Sequence, residues 1–380
     1  MKEILPGSTI GILGGGQLGK MTAMEARRMG YEIEIYDPDP FCPAAKVASR
    51  HWNYPYDDSD RLKDFSQSVD ILTYEFENIP AVLVKKLEEN SLVCPSGSVL
   101  DISQHRVKEK EFLACNGFPV VPHQVVRSVE DIKDAAARLG LPLILKTALL
   151  GYDGKGQVQL HSIEDCQRGW EDIGKPVLAL VEKKLDLFAE FSVIVALGYK
   201  KNYAFFPIPR NFHRNSILDY SIVPSNIEKK IEETAKEIAL AIALSLKVVG
   251  LLTVEFFLTE NAEIFVNELA PRPHNSGHFS LDSCLTSQFE QLIRAICNLP
   301  LGQTTLRGPV FMRNLLGDLW QDGQSPNWIE LLKIPSLKLH LYGKKHPRIG
   351  RKMGHYCLLG EDLEEIISLD KQALKILQRI

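Results

Sequence analysis

Two glutamates carry the sharpest chemical signal in this chain. Glu255 and Glu268 stand in TVEFFLTENAEIFVNE, where strand-forming residues flank a Thr-Glu-Asn-Ala-Glu turn. A hairpin centred between Asn261 and Ala262 sets them directly opposite each other, on a face shared with Phe257, Ile264 and Val266. Like charges across a sheet repel, by about 1 to 4 kcal/mol at ~4 Å depending on the local dielectric. Two solvated glutamates on an exposed face need no partner. On an otherwise apolar face the pair asks for a cation. Hard oxygen ligands suit Mg²⁺, with Mn²⁺ as a substitute, and Mg²⁺ is usually shared with the phosphates of a substrate. Asn267 points to the opposite face of a regular strand and needs a local twist to join them.

Other residues offer anion chemistry. The loop GYDGKGQ contains Gly151, Tyr152, Asp153, Gly154, Lys155, Gly156 and Gln157. Its glycines free the backbone to form an anion-binding nest, yet it is not a Walker loop, since no Ser or Thr follows a Gly-Lys pair in the right frame. Lys146 ends the apolar strand PLILK and reaches a phosphate as a point charge. A plain turn with a snorkelling lysine is the alternative. In APRPHNSGH, Pro271 and Pro273 fix the path, and the Arg272 guanidinium beside His274 and Asn275 suits a planar oxyanion such as bicarbonate; a structural turn is the plainer reading. Lys344, Lys345, Arg348, Arg351 and Lys352 form a basic concentration that is either a solvated face or a phosphate site. Gly14, Gly16 and Gly19 satisfy G-x-G-x-x-G, and Asp37 closes the second strand. Taken alone, this says dinucleotide. Physically it says a helix amino end that favours an anion, or glycines that merely permit tight packing.

The elements that must position these groups are legible in outline. A strand at 8–13, a helix from Gln17 to Met29 closed by Gly30, and a strand at 31–36 begin a doubly wound α/β unit. Strands follow at 69–74 and 91–94, then a polar helix at 104–116 that ends at Gly117-Phe118-Pro119. Beyond it, strand–helix–strand leads to Lys146, and the 151–157 loop sits in a hairpin. A long helix spans 226–246 with Ile227, Ile231, Ile238 and Ile242 on one face. Two strands, a helix at 281–297 and a β-rich tail with a short final helix complete the chain. This pattern divides into an N-terminal α/β substrate-binding domain (1–103), a two-lobed domain (104–305) and a small β-rich domain (306–380). The formal net charge of −4 argues against a nucleic-acid partner. Seven scattered cysteines with no CxxC pair point to reduced thiols in the cytoplasm, without a disulfide frame or zinc site. No apolar run of ~20 residues suggests a membrane span.

GGGQLG, YEFEN (74–78), GYDGKGQ, EKK with a later glutamate, TVEF…VNE and APRPHNSGH, in this order, resemble the N5-carboxyaminoimidazole ribonucleotide synthetase family over about residues 8–360. The resemblance implies an ATP-grasp fold with a pre-ATP-grasp α/β domain, a homodimer, and Mg²⁺-ATP held between two lobes. It implies ligase chemistry: ATP, bicarbonate and 5-aminoimidazole ribonucleotide give the N5-carboxylated product, ADP and phosphate. Carried over, Arg106, Lys146 and the loop 151–157 are ATP phosphate contacts, with Tyr152 and Asp153 in the catalytic set alongside Arg272, His274 and Asn275. Glu182, with Lys183, Lys184 and Leu185, looks like the adenine-edge hinge, with Glu190 on the ribose and His213 nearby. Glu255 and Glu268 match the Mg²⁺ ligands, with Asn267 beside them. Gly16, Gln17, Leu18, Glu75, Lys344, Arg351 and Lys352 match the ribonucleotide site. Leu149-Leu150 replaces a glycine often found before the loop, and the hinge reads EKKLDLFAE. The rival readings are a formate-using sister enzyme, an NAD-dependent oxidoreductase and an inactive ATP-binding regulator.

Overall fold

Parallel strands build the first lobe. β1 (Thr9–Leu13), β2 (Glu32–Tyr36), β3 (Arg50–Trp52) and β4 (Ile71–Tyr74) pair in the order β3-β2-β1-β4. β4 is buried throughout and β1 nearly so, as expected where helices cover both faces of a parallel sheet. The helix Gln17–Arg28 makes the first crossover and starts directly after the glycine cluster. The strand expected at 91–94 shrinks to a single parallel bridge from Val93 to Leu72. The computed structural model describes residues 2–149, 156–320 and 324–377.

The helix Arg106–Cys115 leads into a second lobe. Here β5 (His123–Val126), β6 (Leu143–Thr147), β7 (Gln157–Leu160) and β8 (Ala179–Lys183) form an antiparallel sheet ordered β5-β8-β6-β7. β6 and β7 are the two arms of the expected hairpin, with Leu143 opposite Leu160. The helices Val129–Leu139 and Asp165–Asp172 pack their apolar sides on this sheet through Ile132, Ala135, Cys166 and Trp170.

The remaining strands share one large sheet. They are β9 (Leu187–Leu197), β10 (Tyr203–Phe205), β11 (Arg210–Arg214), β12 (Ile217–Val223), β13 (Gly250–Thr259), β14 (Ile264–Ala270), β15 (Val310–Leu316), β16 (Leu337–Leu341) and β17 (Lys352–Leu359). Their order is β14-β13-β9-β11-β12-β15-β17-β16, with β10 beside β9. Period-2 alternation sorts the central strands into two faces. Phe191, Val193, Val254 and Phe256 pack towards Ala235, Ala239 and Ile242 of the helix Lys229–Ser245. Glu190, Ser192, Glu255 and Phe257 take the other face, through the pairs Glu255–Ser192 and Phe257–Glu190.

Three expectations change. The β13–β14 pairing follows the expected register at Thr253–Ala270 and Val254–Leu269, then slips by one residue so that Phe256 faces Val266. This bulge puts Val266 in the apolar core, and Ile264 packs against that core too, so neither shares a face with the glutamates. The helix expected at 281–297 divides into Ser280–Ser283 and Gln288–Ile296: Ser287 caps the second piece through the Glu290 amide, and Cys284 bridges Leu306. The C-terminal strands form no sheet of their own. β15 pairs with β12, and the closing helix, Leu363–Leu377, is 15 residues long rather than short.

A buried charge cluster fastens that helix. Arg313 on β15 donates to both oxygens of Asp370, at 2.8 and 2.7 Å, and to Asp219 at 2.6 Å, while the Tyr356 hydroxyl donates to Asp370. Removing one partner of a buried pair strands the other charge. Asp370→Ala should therefore cost about 3–5 kcal/mol of stability. Trp320 and Trp328 pack beside this helix, so their fluorescence in a urea titration reads the loss. A midpoint equal to that of the unaltered protein would refute the assignment.

Candidate active site

The slip in the β13–β14 ladder creates the centre of the site. A bulge lets two residues oppose one, and Asn267 thereby reaches Glu255, its amide donating to Oε2 at 3.3 Å. This is the local twist that the sequence alone leaves open. His274 approaches the other oxygen, Nε2 to Oε1 at 3.1 Å. Its Nδ1 is 2.8 Å from Ser276 Oγ, which lies 2.6 Å from Ser192 Oγ; Asn211 donates to Ser192 at 3.2 Å. This polar chain runs beneath the site and fixes the imidazole. Burial opposes ionisation of Glu255, but His274, His213 and Asn267 outweigh it and hold its carboxyl below the usual range. Glu268 keeps solvent access, yet its protein surroundings and the Glu255 charge push its carboxyl up. The two acids are thus set apart by environment.

Cations face Glu268 from the second lobe, where Arg106 and Lys146 both favour its charge. Arg106 donates from Nη1 to the Thr147 carbonyl at 3.1 Å, which anchors it beside the hairpin. Lys146 is paired with Glu182, and the buried Lys110 stands 3.1 Å from Glu182's second oxygen. That last contact is close but poorly aligned, since Glu182 Oε1 accepts no hydrogen bond. Burial works against Glu182's charge, and the two lysines overcome it, bringing the carboxyl down to about 2. The Glu182 side chain is thus the counter-ion of two lysines, and β8 carries it at the start of the expected hinge 182–185. The Lys183 ammonium donates to Leu141 O and that of Lys184 to Gln159 Oε1. Glu190 and His213 do meet, at 3.0 Å, on the same sheet face as Glu255. Burial lowers His213, but Glu190 outweighs it and the imidazole pKa is raised. Gln157 donates to Ser216 at 3.0 Å, tying the hairpin to the β11–β12 turn, and Gly156 stands beside it. Gly151, Tyr152, Asp153, Gly154 and Lys155 lie outside the described residues.

The glycine cluster proves to be occupied by the protein's own acids. Gly15 N–H donates to Asp37 at 2.6 Å, and Gly16 and Gly19 donate to the two oxygens of Glu75 at 2.8 and 3.1 Å. A side chain at Gly16 would place its Cβ 2.4 Å from Glu75 Oε1, so the glycine permits this approach. With carboxylates at the amino end of the helix, no pyrophosphate fits there, and Asp37 is engaged with Gly15 rather than left for a ribose. Leu18 is buried against Met21, Phe289 and Tyr342, which leaves only its backbone for a ligand. Gln17 opens the helix beside it.

Arg272 joins the lobes. Its Nε lies 3.1 Å from Glu77. Burial opposes its charge, but Glu77, Glu75 and Glu268 outweigh it, so the guanidinium stands between the first lobe and the carboxylate centre. Glu77 was missed from sequence, although it lies in YEFEN two residues after Glu75. The neighbours of Arg272 have partners within the protein. Asn275 exchanges two amide hydrogen bonds with Asn314, at 3.0 and 2.8 Å, and clamps the turn to the sheet. His274 is spent on Glu255 and Ser276. Lys344 donates to the Lys352 carbonyl at 2.7 Å and Arg351 to the His346 carbonyl at 2.8 Å, so both belong to the β16–β17 connection. Lys352 opens β17, and its charge opposes protonation of His213 and His278.

Glu255 and Glu268 with the Asn267 carboxamide form a hard-oxygen donor set of the kind Mg²⁺ takes. Among the described residues no three His, Cys, Asp or Glu side chains cluster as a complete metal cage. That suits an ion which takes its remaining ligands from phosphates and water.

Comparison with known proteins agrees with this geometry. Residues 7–104 match the ribonucleotide synthetase preATP-grasp domain, 111–289 the ATP-grasp domain, and 311–369 the phosphoribosylaminoimidazole carboxylase C-terminal domain. The N5-carboxyaminoimidazole ribonucleotide synthase of Bacillus subtilis is 42% identical over 96% of this chain and 94% of its own. The Staphylococcus aureus N5-carboxyaminoimidazole synthetase, solved with ADP, superposes with a TM-score of 0.92 at 39% identity, covering 100% of this chain and 99% of that one. The Aspergillus clavatus enzyme in complex with ADP and 5-aminoimidazole ribonucleotide gives 0.89 at 26% identity, covering 98% and 99%. The chain belongs to the N5-carboxyaminoimidazole ribonucleotide synthase family of ATP-grasp proteins.

Proposed function

We propose that this chain catalyses the ATP-dependent carboxylation of 5-aminoimidazole ribonucleotide by bicarbonate, giving N5-carboxyaminoimidazole ribonucleotide, ADP and phosphate. The observation that carries the reading is Arg272, held 3.1 Å from Glu77 of the first lobe on the turn that directly follows the strand of Glu268. An acceptor anion held there stands between ATP and the ribonucleotide.

Arg106 and Lys146 hold the ATP phosphates and neutralise charge as the γ-phosphoryl group leaves ADP. Arg272 orients bicarbonate so that one oxygen attacks the γ-phosphorus, which forms carboxyphosphate. Glu255 and Glu268, with Asn267 beside them, would hold Mg²⁺, which when bound would add charge neutralisation for the transferred phosphoryl group. The ribonucleotide amine, held near Glu75, then attacks the carboxyl carbon, and phosphate departs. Lys344, Arg351 and Lys352 bind the ribonucleotide phosphate, and Gly16, Gln17 and Leu18 line its pocket through their backbone. Positioning supplies most of the acceleration. The three sequence divisions, a homodimer and residence in the cytoplasm complete the reading. Seven unpaired cysteines support a reducing compartment.

ADP release with Mg²⁺-ATP and bicarbonate should rise strongly when 5-aminoimidazole ribonucleotide is added, and fall to background when bicarbonate is withdrawn. Formate working in place of bicarbonate would move the chain to a sister chemistry.

Glu268→Gln separates catalysis from folding. Turnover should drop by ~10³-fold or more, equivalent to roughly 4 kcal/mol. The nucleotide-free variant should nevertheless melt higher than the parent at neutral pH, because a carboxyl raised in the folded state costs stability when ionised. That cost is absent below the unfolded carboxyl range, grows as pH rises from there to the folded value, and levels off above it. The melting difference should therefore vanish in acid. Unchanged turnover would remove Glu268 from the metal set.

A further inference from the structure

The bulge that creates the carboxylate centre has its own fastening. β14 is the outer strand of the large sheet, and a regular strand turns every second residue's backbone groups outward. Here Val266 and Leu269, three positions apart, both face outward. Val266 N–H donates to the Pro119 carbonyl at 2.8 Å, and Leu269 N–H donates to Glu109 Oε2 at 3.1 Å. Lys110, next to Glu109 on the helix Arg106–Cys115, donates to the carbonyls of Asn267 at 2.8 Å and Val266 at 3.3 Å. The two side chains thus grip the backbone on both sides of the slip. Both are almost completely buried, at 3% and 2% exposure. Burying adjacent acid and base on an otherwise ordinary helix is costly unless each has a specific partner.

We propose that Lys110 and Glu109 are positioning residues that hold the β14 bulge, and with it Asn267 and Glu268, in metal-binding geometry. Lys110 also stands beside Glu182, the counter-ion of Lys146, so one ammonium couples the phosphate lysine to the metal strand. Without these anchors β14 relaxes towards regular pairing. A one-residue slip turns a strand's side chains to the opposite face, which withdraws Asn267 from Glu255. The inference rests on the metal reading given under the proposed function.

The test is the ratio of ADP affinities with and without Mg²⁺, measured by calorimetry on the full-length protein, together with the Mg²⁺ concentration for half-maximal ADP release. Partners that orient metal ligands typically change metal affinity by roughly 10- to 100-fold. Lys110→Met and Glu109→Leu should reduce the Mg²⁺ enhancement of ADP binding by about tenfold or more. Both should raise the half-activating Mg²⁺ concentration, while the KM for the ribonucleotide stays near that of the parent. Glu109→Gln keeps an acceptor for the Leu269 amide and should retain the enhancement. If Lys110→Met does not fold, the Glu109→Leu and Glu109→Gln pair decides. An unchanged Mg²⁺ ratio in Glu109→Leu, with only a lower melting temperature, overturns the positioning role. Absence of any Mg²⁺ enhancement in the parent protein would instead overturn the metal reading itself.

Discussion

Repulsion between Glu255 and Glu268 organises the centre of this protein. Two carboxylates brought together on neighbouring strands are unfavourable, and the surroundings answer each one differently. Glu255 receives His274 and the Asn267 amide and stays ionised. Glu268 has no such direct donor among the described contacts and is pushed towards its neutral form, although the charges of Arg106 and Lys146 oppose that shift. Under the proposed function, this imbalance is what a metal and a triphosphate would relieve. A centre satisfied within the protein would bind them less well, so the strain in the free state is part of what the site offers its ligands.

Fixed charge is the second device. Replacing a buried ion pair by packed apolar groups is often stabilising, so Lys110, Glu182 and Lys146 are not explained by stability alone. One carboxylate between two ammonium groups leaves a net positive charge that points towards Glu268. With its carboxyl down at about 2, Glu182 remains ionised throughout the working pH range, and the arrangement behaves as a permanent charge. A preorganised charge of this kind needs no rearrangement when phosphate negative charge develops.

Patterns of period and spacing were readable before any coordinates. Strand–glycine–helix at 8–29 and the two strands that flank the 151–157 segment follow from alternation and turn residues and stand where expected, whereas Glu255 and Glu268 fall on neighbouring strands but a bulge breaks their direct pairing. The failures share a cause: side-chain partners distant in sequence. Nothing local in VNEL announces a slip, because Glu109 and Lys110, about 160 residues earlier, fix it. Nothing beside Asn275 shows that Asn314 from β15 takes both ends of its amide. Nothing beside Glu182 shows its lysine partners, which lie on other elements. The C-terminal strands read as a separate module, since pairing between β12 and β15 leaves no mark on either segment.

The dinucleotide fingerprint shows how a motif can be physically sound and still mislead. A helix amino end does favour negative charge, and here it takes Glu75, with Asp37 on the preceding amide. Once filled by fixed carboxylates, the glycine turn becomes a mount for Glu75 instead of a phosphate cradle. The acid is thereby presented towards Arg272, which is braced by Glu77 from the same lobe. From the other side, Lys20 of the same helix donates to the carbonyls of Leu341 and Tyr342, tying this lobe to the β16–β17 connection that carries Lys344 and Arg351. β16 and β17 continue the sheet that holds Glu255. One sheet thus spans from Glu255 and Glu268 to the basic connection at the first lobe. A site assembled on such a platform keeps its two ends in register without depending on loop placement.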